Sequence, residues 1–225
     1  MAELVLRNKN ILKKLDWIKS EVLKSKLFED RDLFNTYMVY HDSGKEAKTN
    51  PEQFLSENWL FKKMSDPNHK GHPKEYASFP VSEMEKRDER VRNVNHYARN
   101  EFIRELGAED HAVFLWYPPG GFVGWHTNQN NPGYQFIFSW SEKGDGYFQY
   151  YDKKENKIIK LPDKPGWQVR NFHFGATEEE HCWHSAYTNV NRITVCALFR
   201  YWDKPHLKDQ VKQLRDELID EIESE

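Results

Sequence analysis

The sequence predicts a mainly β protein, a sandwich or barrel with flanking helices, and three observations lead there. Short β-prone runs recur at close intervals after residue 110. Turn signals separate them: Pro118-Pro-Gly-Gly, Asn130-Asn-Pro-Gly, Lys143-Gly-Asp-Gly, Lys154-Glu-Asn and Asp163-Lys-Pro-Gly. Aromatic residues reach 15%, with 8 Trp, 11 Tyr and 14 Phe, and such side chains suit a pleated surface.

The elements follow in order. Residues 10–27 carry Ile11, Leu12, Leu15, Ile18, Val22 and Leu23 at the three-four spacing of one buried helix face. Residues 36–40 are a short strand candidate. From 41 to 80 the chain is polar and broken by four prolines, without clear elements, which reads as a lid or a substrate-side insertion. Its His69 and His72 belong to a solvated loop, since no carboxylate or cysteine framework surrounds them. Residues 82–106 read as one helix: Ser82 and Glu85 form a capping box, Met84, Val91, Val94, Ala98, Phe102 and Leu106 form the stripe, and Gly107 supplies the left-handed stop.

Eight strands are then expected, over 111–117, 122–127, 134–140, 147–151, 157–161, 167–172, 182–187 and 192–201. A charged amphipathic helix closes the chain over about 207–223, with Val211, Leu214, Leu218, Ile219 and Ile222 as its apolar face. That face is expected to dock on the domain, a homodimer contact being the alternative. The whole reads as a single domain over 1–225: a helical and loop region over 1–110, a β core over 111–202 and the last helix over 203–225.

Composition excludes several function classes. The net charge of −3 comes from 36 acids against 33 bases, so no basic excess marks a nucleic-acid binder. No run has the length of a membrane helix and the first residues lack a signal-peptide core, so a cytoplasmic protein is expected. Cys182 and Cys196 are too few for a disulfide framework and are expected to be reduced core residues.

The chemistry concentrates in two runs, Tyr117-Pro-Pro-Gly-Gly-Phe-Val-Gly-Trp-His126-Thr-Asn128 and His181-Cys-Trp-His184 through Arg192-Ile-Thr194. On a strand, residues two apart share a face. His126 and Asn128 therefore point one way, as do Cys182 and His184. If the last two strands form a hairpin turning near Asn189, Arg192 and Thr194 join them, while His181 faces away. Two imidazoles suit a first-row divalent metal. A buried guanidinium calls for an anion, which its planar fork matches bidentately.

These motifs, in this order, resemble the iron(II)- and 2-oxoglutarate-dependent oxygenases, nearest in layout to the prolyl-4-hydroxylase-like branch. The likeness covers residues 111–202 and rests on Tyr117-Pro-Pro-Gly before His126, on Gly146-Tyr-Phe-Gln-Tyr-Tyr-Asp with the Lys164-Pro-Gly turn, and on His184 with Arg192 eight residues on and then Thr194. The resemblance implies a double-stranded β-helix (a jelly-roll, cupin-like core) buttressed by N-terminal helices. It implies iron held by His126, Asn128 and His184, with 2-oxoglutarate bound by Arg192, Thr194 and Tyr117. It further implies O2 as oxidant, ascorbate in support, and hydroxylation of a small amino-acid-like molecule or of a residue in a peptide or protein.

Asn128 departs from the family, which has Asp or Glu there. The site would then use the amide or water as third ligand, recruit Asp145, Asp152 or an acid of Glu178-Glu-Glu180, or have lost catalysis and serve as a ligand- or partner-binding module. A cupin-type three-His metalloenzyme that uses His181 and no 2-oxoglutarate is a further alternative; the spacing to Arg192 favours His184. His173 is expected to be structural. Tyr134 and Gln135 are candidates to touch substrate.

Overall fold

The computed structural model describes residues 2–25, 50–69, 71–85, 88–201 and 205–225, so the strand expected over 36–40 lies outside the described residues. All eight expected core strands are present: β4 (Asp110–Tyr117), β5 (Phe122–His126), β6 (Gly133–Ser141), β7 (Gly146–Asp152), β8 (Lys157–Pro162), β9 (Gly166–Phe174), β10 (His184–Thr188) and β11 (Arg192–Phe199). Three shorter strands precede them: β1 (Ala2–Leu4), β2 (Tyr76–Ala77) and β3 (Phe79–Pro80).

The strands form two antiparallel sheets. One runs β1-β9-β6-β11-β4-β3, the other β2-β5-β10-β7-β8. Within them the eight core strands take the orders β4-β11-β6-β9 and β5-β10-β7-β8, which is the jelly-roll order of a double-stranded β-helix. Nearly every consecutive strand crosses to the other sheet. The hairpin expected between the last two strands is absent for that reason: β10 lies between β5 and β7, whereas β11 lies between β4 and β6. The backbone after β10 bonds elsewhere, Thr188 N–H to Gly121 O and Asn189 N–H to Asp145 O.

Helices cover the outer face of the larger sheet. Helix α1 (Lys9–Leu23) starts at Asn8, whose side chain accepts from the Asn10 and Ile11 amides, and buries Ile11, Leu15, Ile18 and Val22. The described part of segment 41–80, from residue 50 on, holds more order than its prolines suggest: helices α2 (Pro51–Leu55) and α3 (Glu57–Met64) are capped by Asn50 and Ser56 and precede β2 and β3. Residues 82–106 are not one helix. Helix α4 (Val81–Met84) has no side-chain cap, and a new start at Asp88, whose carboxylate accepts from the Arg90 amide, opens α5 (Glu89–Tyr97). A wider turn over Ala98–Phe102 and α6 (Ile103–Glu105) follow, then Gly107 at φ 76°. The expected stripe from Met84 to Leu106 is nevertheless buried throughout, because each segment presents its apolar residues to the same sheet.

The last helix, α7 (Lys208–Glu223), buries Val211, Leu218 and Ile222 in that same core, whereas Leu214 is exposed. Among the described residues no helix is long and apolar enough to cross a membrane. Phe138 of β6 is fully buried and meets Phe102 edge-on, ring centroids 5.9 Å apart, which joins the helical layer to the sheet. Phe138→Ala should therefore destabilise the protein by about 3–5 kcal/mol, read as a lower urea midpoint with an unchanged slope.

Candidate active site

Strands β5 and β10 are neighbours, with His126 directly opposite His184 in register. Both side chains are buried and their ring centroids lie 4.0 Å apart. Phe148 and Phe174 pack on His184 at 5.5 and 4.6 Å, so its surroundings are apolar. Asn128 joins the pair, but not by strand parity. Strand β5 ends at His126, and Asn128 is left-handed, with φ 59°. Asparagine tolerates that conformation better than most residues. The Gly71 carbonyl holds the turn by accepting from the Thr127 and Asn128 amides at 3.1 and 2.8 Å. Gly71 itself is at φ 89°, and a Cβ there would stand 2.6 Å from Gln129 Cγ. The turn swings the amide until Nδ2 lies 3.3 Å from His184 Nε2.

The ring hydrogens are fixed by backbone carbonyls. His126 Nδ1 is 2.8 Å from Gly124 O and His184 Nδ1 is 2.8 Å from Cys182 O. A carbonyl only accepts, so each Nδ1 carries the proton and each Nε2 presents its lone pair. Burial holds His184 down to about 4, and burial with the neighbouring His184 ring holds His126 well below its ordinary value. Both imidazoles are neutral near pH 7, the form in which histidine binds metal.

The other end of the cavity is cationic. Arg192 and Tyr117 face each other across β11 and β4, with the guanidinium 5.2 Å from the phenol ring centre. Burial raises the Tyr117 hydroxyl well above its ordinary value, so it stays a neutral donor. Arg192 Nη2 donates to Ser139 Oγ at 3.3 Å, and Ser139 Oγ meets Thr194 Oγ1 at 3.2 Å. The Arg192 Nε is 3.3 Å from Asp163 Oδ2, off the line of a hydrogen bond. Asp163 Oδ1 accepts from Arg170 Nη1 at 3.2 Å. One buried carboxylate thus serves two buried guanidiniums, and Arg192 Nη1 is left without a hydrogen-bond partner among the described residues.

His126, Asn128, His184, Arg192, Thr194 and Tyr117 line one cavity of about 440 Å³. Gln135 and His72 are also in its wall, whereas Tyr134 packs outward against His173 and Arg215. His181 is not there. It lines a second cavity with His69 and Trp183, its Nε2 3.3 Å from Ala176 O. His173 contacts the Tyr201 hydroxyl. Neither acid expected from the β-turns comes in: Asp145 accepts from Asn189 Nδ2, and Asp152 accepts from the Lys154 amide. Glu178, Glu179 and Glu180 form a short exposed turn. Among the described residues no three of His, Cys, Asp and Glu gather as a metal cluster. Cys182 and Cys196 are both free thiols; burial pushes each up to about 12.

Sequence reasoning missed Asp163 and Arg170. Asp163 sits in a turn signal, which hides a buried partner. Arg170 shares strand parity with Phe172 and Phe174, and that alternation marks it as inward. The donors present fit a first-row divalent metal with two strong imidazole ligands and one weak amide, once the amide turns its oxygen inward. The orphaned Arg192 Nη1 fits a carboxylate.

No protein-family model matches the chain, and no curated protein does. Among solved structures it is similar to a prolyl-4-hydroxylase from Pseudomonas putida, at 19% identity and a TM-score of 0.32, over 53% of this chain and 59% of that one. It is also similar to a predicted oxalate decarboxylase from Thermotoga maritima (21% identity, TM-score 0.26, 42% of this chain and 70% of that one). An oxalate oxidase with bound glycolate aligns at 11% identity and a TM-score of 0.26, over 48% of this chain and 62% of that one. The chain thus spans less than two thirds of the prolyl-4-hydroxylase it matches.

Asp163→Asn leaves two guanidiniums uncompensated and should cost about 3–5 kcal/mol in chemical denaturation, whereas Glu155→Gln, at an exposed pair with Lys157, should cost under about 1 kcal/mol. The histidines make the metal-free protein acid-sensitive. Their folded values lie below the unfolded value of about 6.5, so the unfolded chain binds more protons in between. Stability should fall as pH drops from about 6.5 to about 4, and His184→Gln should flatten that slope in urea titrations across the range.

Proposed function

We propose that this cavity is the active site of an Fe(II)- and 2-oxoglutarate-dependent oxygenase acting on a small amino-acid-like molecule or an amino-acid residue. One observation carries the reading: two neutral imidazoles whose Nδ1 hydrogens are held by backbone carbonyls line one cavity with a buried arginine whose Nη1 lacks a partner among the described residues, and only the Asn128 amide meets the Nε2 of His184. His126 and His184 are the ligands, pre-oriented through their Nδ1 hydrogens. Asn128 gives up its hydrogen bond to His184 and offers Oδ1 as the weak third ligand. Arg192 receives the distal carboxylate of the cosubstrate on its Nη1 edge, with Asp163 steadying the Nε edge and the Thr194 and Tyr117 hydroxyls beside it. The bound iron supplies oxygen activation coupled to decarboxylation of 2-oxoglutarate, giving succinate, carbon dioxide and an alcohol from one C–H bond. Phe148 and Phe174 keep water from the imidazoles.

A second reading has its own support. The Asn128 amide already satisfies His184 Nε2, and among the described residues no three of His, Cys, Asp and Glu gather there, as expected of a binding module that has lost its iron. One experiment separates the two. Purified protein is titrated anaerobically with Fe(II) and 2-oxoglutarate, followed by the weak visible charge-transfer band, then exposed to air with ascorbate and assayed for succinate. Band and succinate should both appear, and both should vanish in His184→Ala and in Arg192→Leu. Asn128→Asp should tighten metal binding about tenfold or more, the difference between a charge-assisted and a neutral contact. Absence of band, succinate and iron by elemental analysis in the wild type would leave the binding module as the reading.

A further inference from the structure

The same cavity has a second orphan, of opposite polarity to the arginine. Asn95 lies on α5, on the face that also buries Val91 and Val94, and is itself 6% exposed. Its Nδ2 donates to Glu85 Oε2 at 2.7 Å. A carboxylate accepts, so this bond fixes which edge of the amide is which: the NH2 faces Glu85 and the carbonyl oxygen faces away from it. That oxygen has no hydrogen-bond partner among the described residues, although it is shut off from solvent. Asn95 lines the cavity that His126 and Arg192 line, with Ser78 and Ser82 beside it in the wall. A buried acceptor without a donor costs free energy, and native interiors rarely leave one unmet. Glu85 stands behind the amide, outside the lining, and Arg192 lines the same cavity as Asn95.

We propose that the α5 wall of the cavity is a recognition subsite for an N–H group of the substrate, read by Asn95 Oδ1. Glu85 is its positioning residue, holding the amide with the oxygen toward the ligand. The inference rests on the oxygenase reading for calling the ligand a substrate; the binding itself needs no metal. It narrows the substrate class to molecules that carry an amide or ammonium N–H, and it gives the cavity a direction, anion at Arg192 and donor at Asn95.

The test uses the unaltered 225-residue chain and matched probes. N-acetyl amino-acid methylamides are titrated by calorimetry beside the same compounds methylated on every amide nitrogen, which removes the donor and keeps the skeleton. At least one N–H probe should bind about fivefold or more tighter than its N-methylated twin, the worth of one neutral hydrogen bond. In Asn95→Leu the preference should disappear, which separates hydrogen bonding from the bulk of the added methyl. In wild-type protein labelled with nitrogen-15, the Asn95 side-chain amide signals should move with the N–H probe and not with its twin, a readout that does not depend on the variant folding. Equal binding of the twins, binding of neither, or a preference that survives in Asn95→Leu would overturn the subsite. Manganese uptake by the same samples is measured in parallel: its loss would sink the metal reading with the subsite intact, and its persistence with indifferent twins would do the opposite.

Discussion

Successive core strands of this protein, all but β7 and β8, alternate between two sheets, and the rest of the structure depends on that crossing. Leaving β4 in the larger sheet, the chain enters β5 in the smaller one, returns for β6 and crosses again for β7. Side chains from distant parts of the sequence are thereby made to face one another across a narrow interior. His126 and His184 meet because β5 and β10 are neighbours in one sheet; Arg192 and Thr194 face them because β11 lies in the other. A hairpin between β10 and β11 would have set these groups side by side on one surface, with no enclosed volume between them. The crossing creates the cavity, and the cavity makes their burial consequential.

Burial then sorts the titratable groups by what each can tolerate. The imidazoles answer desolvation by staying neutral, which keeps lone pairs available. Arginine cannot answer that way, so Asp163 accompanies the two guanidiniums, and one excess positive charge remains beside the cavity. A neutral imidazole pair and an under-compensated guanidinium in one apolar enclosure form a site for a metal and an anion together. The amide of Asn128 in place of a carboxylate lowers the negative charge available to a cation, and with it the affinity. Asn95 adds an unpaired acceptor to the lining of the same cavity.

Much of this was legible in the sequence, for identifiable reasons. The eight core strands were, because alternating β-prone runs and Pro/Gly turns are local signals. The strands β1, β2 and β3 were not, since two or three residues carry no periodicity and are held by partners far away. The break between α4 and α5 escaped because the apolar stripe continues in phase across it, while the start signal at Asp88 looks like one more surface acid. Strand parity placed Asn128 beside His126 on reasoning that fails locally, since Asn128 is left-handed; it reaches His184 through a turn pinned by Gly71, a contact across more than fifty residues that only the fold supplies. The pairing of Asp163 with Arg192 is of the same kind.

The position of β11 has a consequence for how the protein comes to be made. It is the last core strand of the chain, yet it fills the middle of the larger sheet, bonded to β4 on one side and β6 on the other. Until residue 199 has been synthesised and inserted, both neighbours present unpaired strand edges, and the half of the cavity that carries Arg192 does not exist. The nascent chain therefore carries open, aromatic-rich edges from the completion of β6 to that of β11, the condition under which strands of different molecules pair with one another. A truncation before β11 would remove more than a functional arginine; it would leave a sheet with a slot in it, and material of that kind accumulates as aggregate.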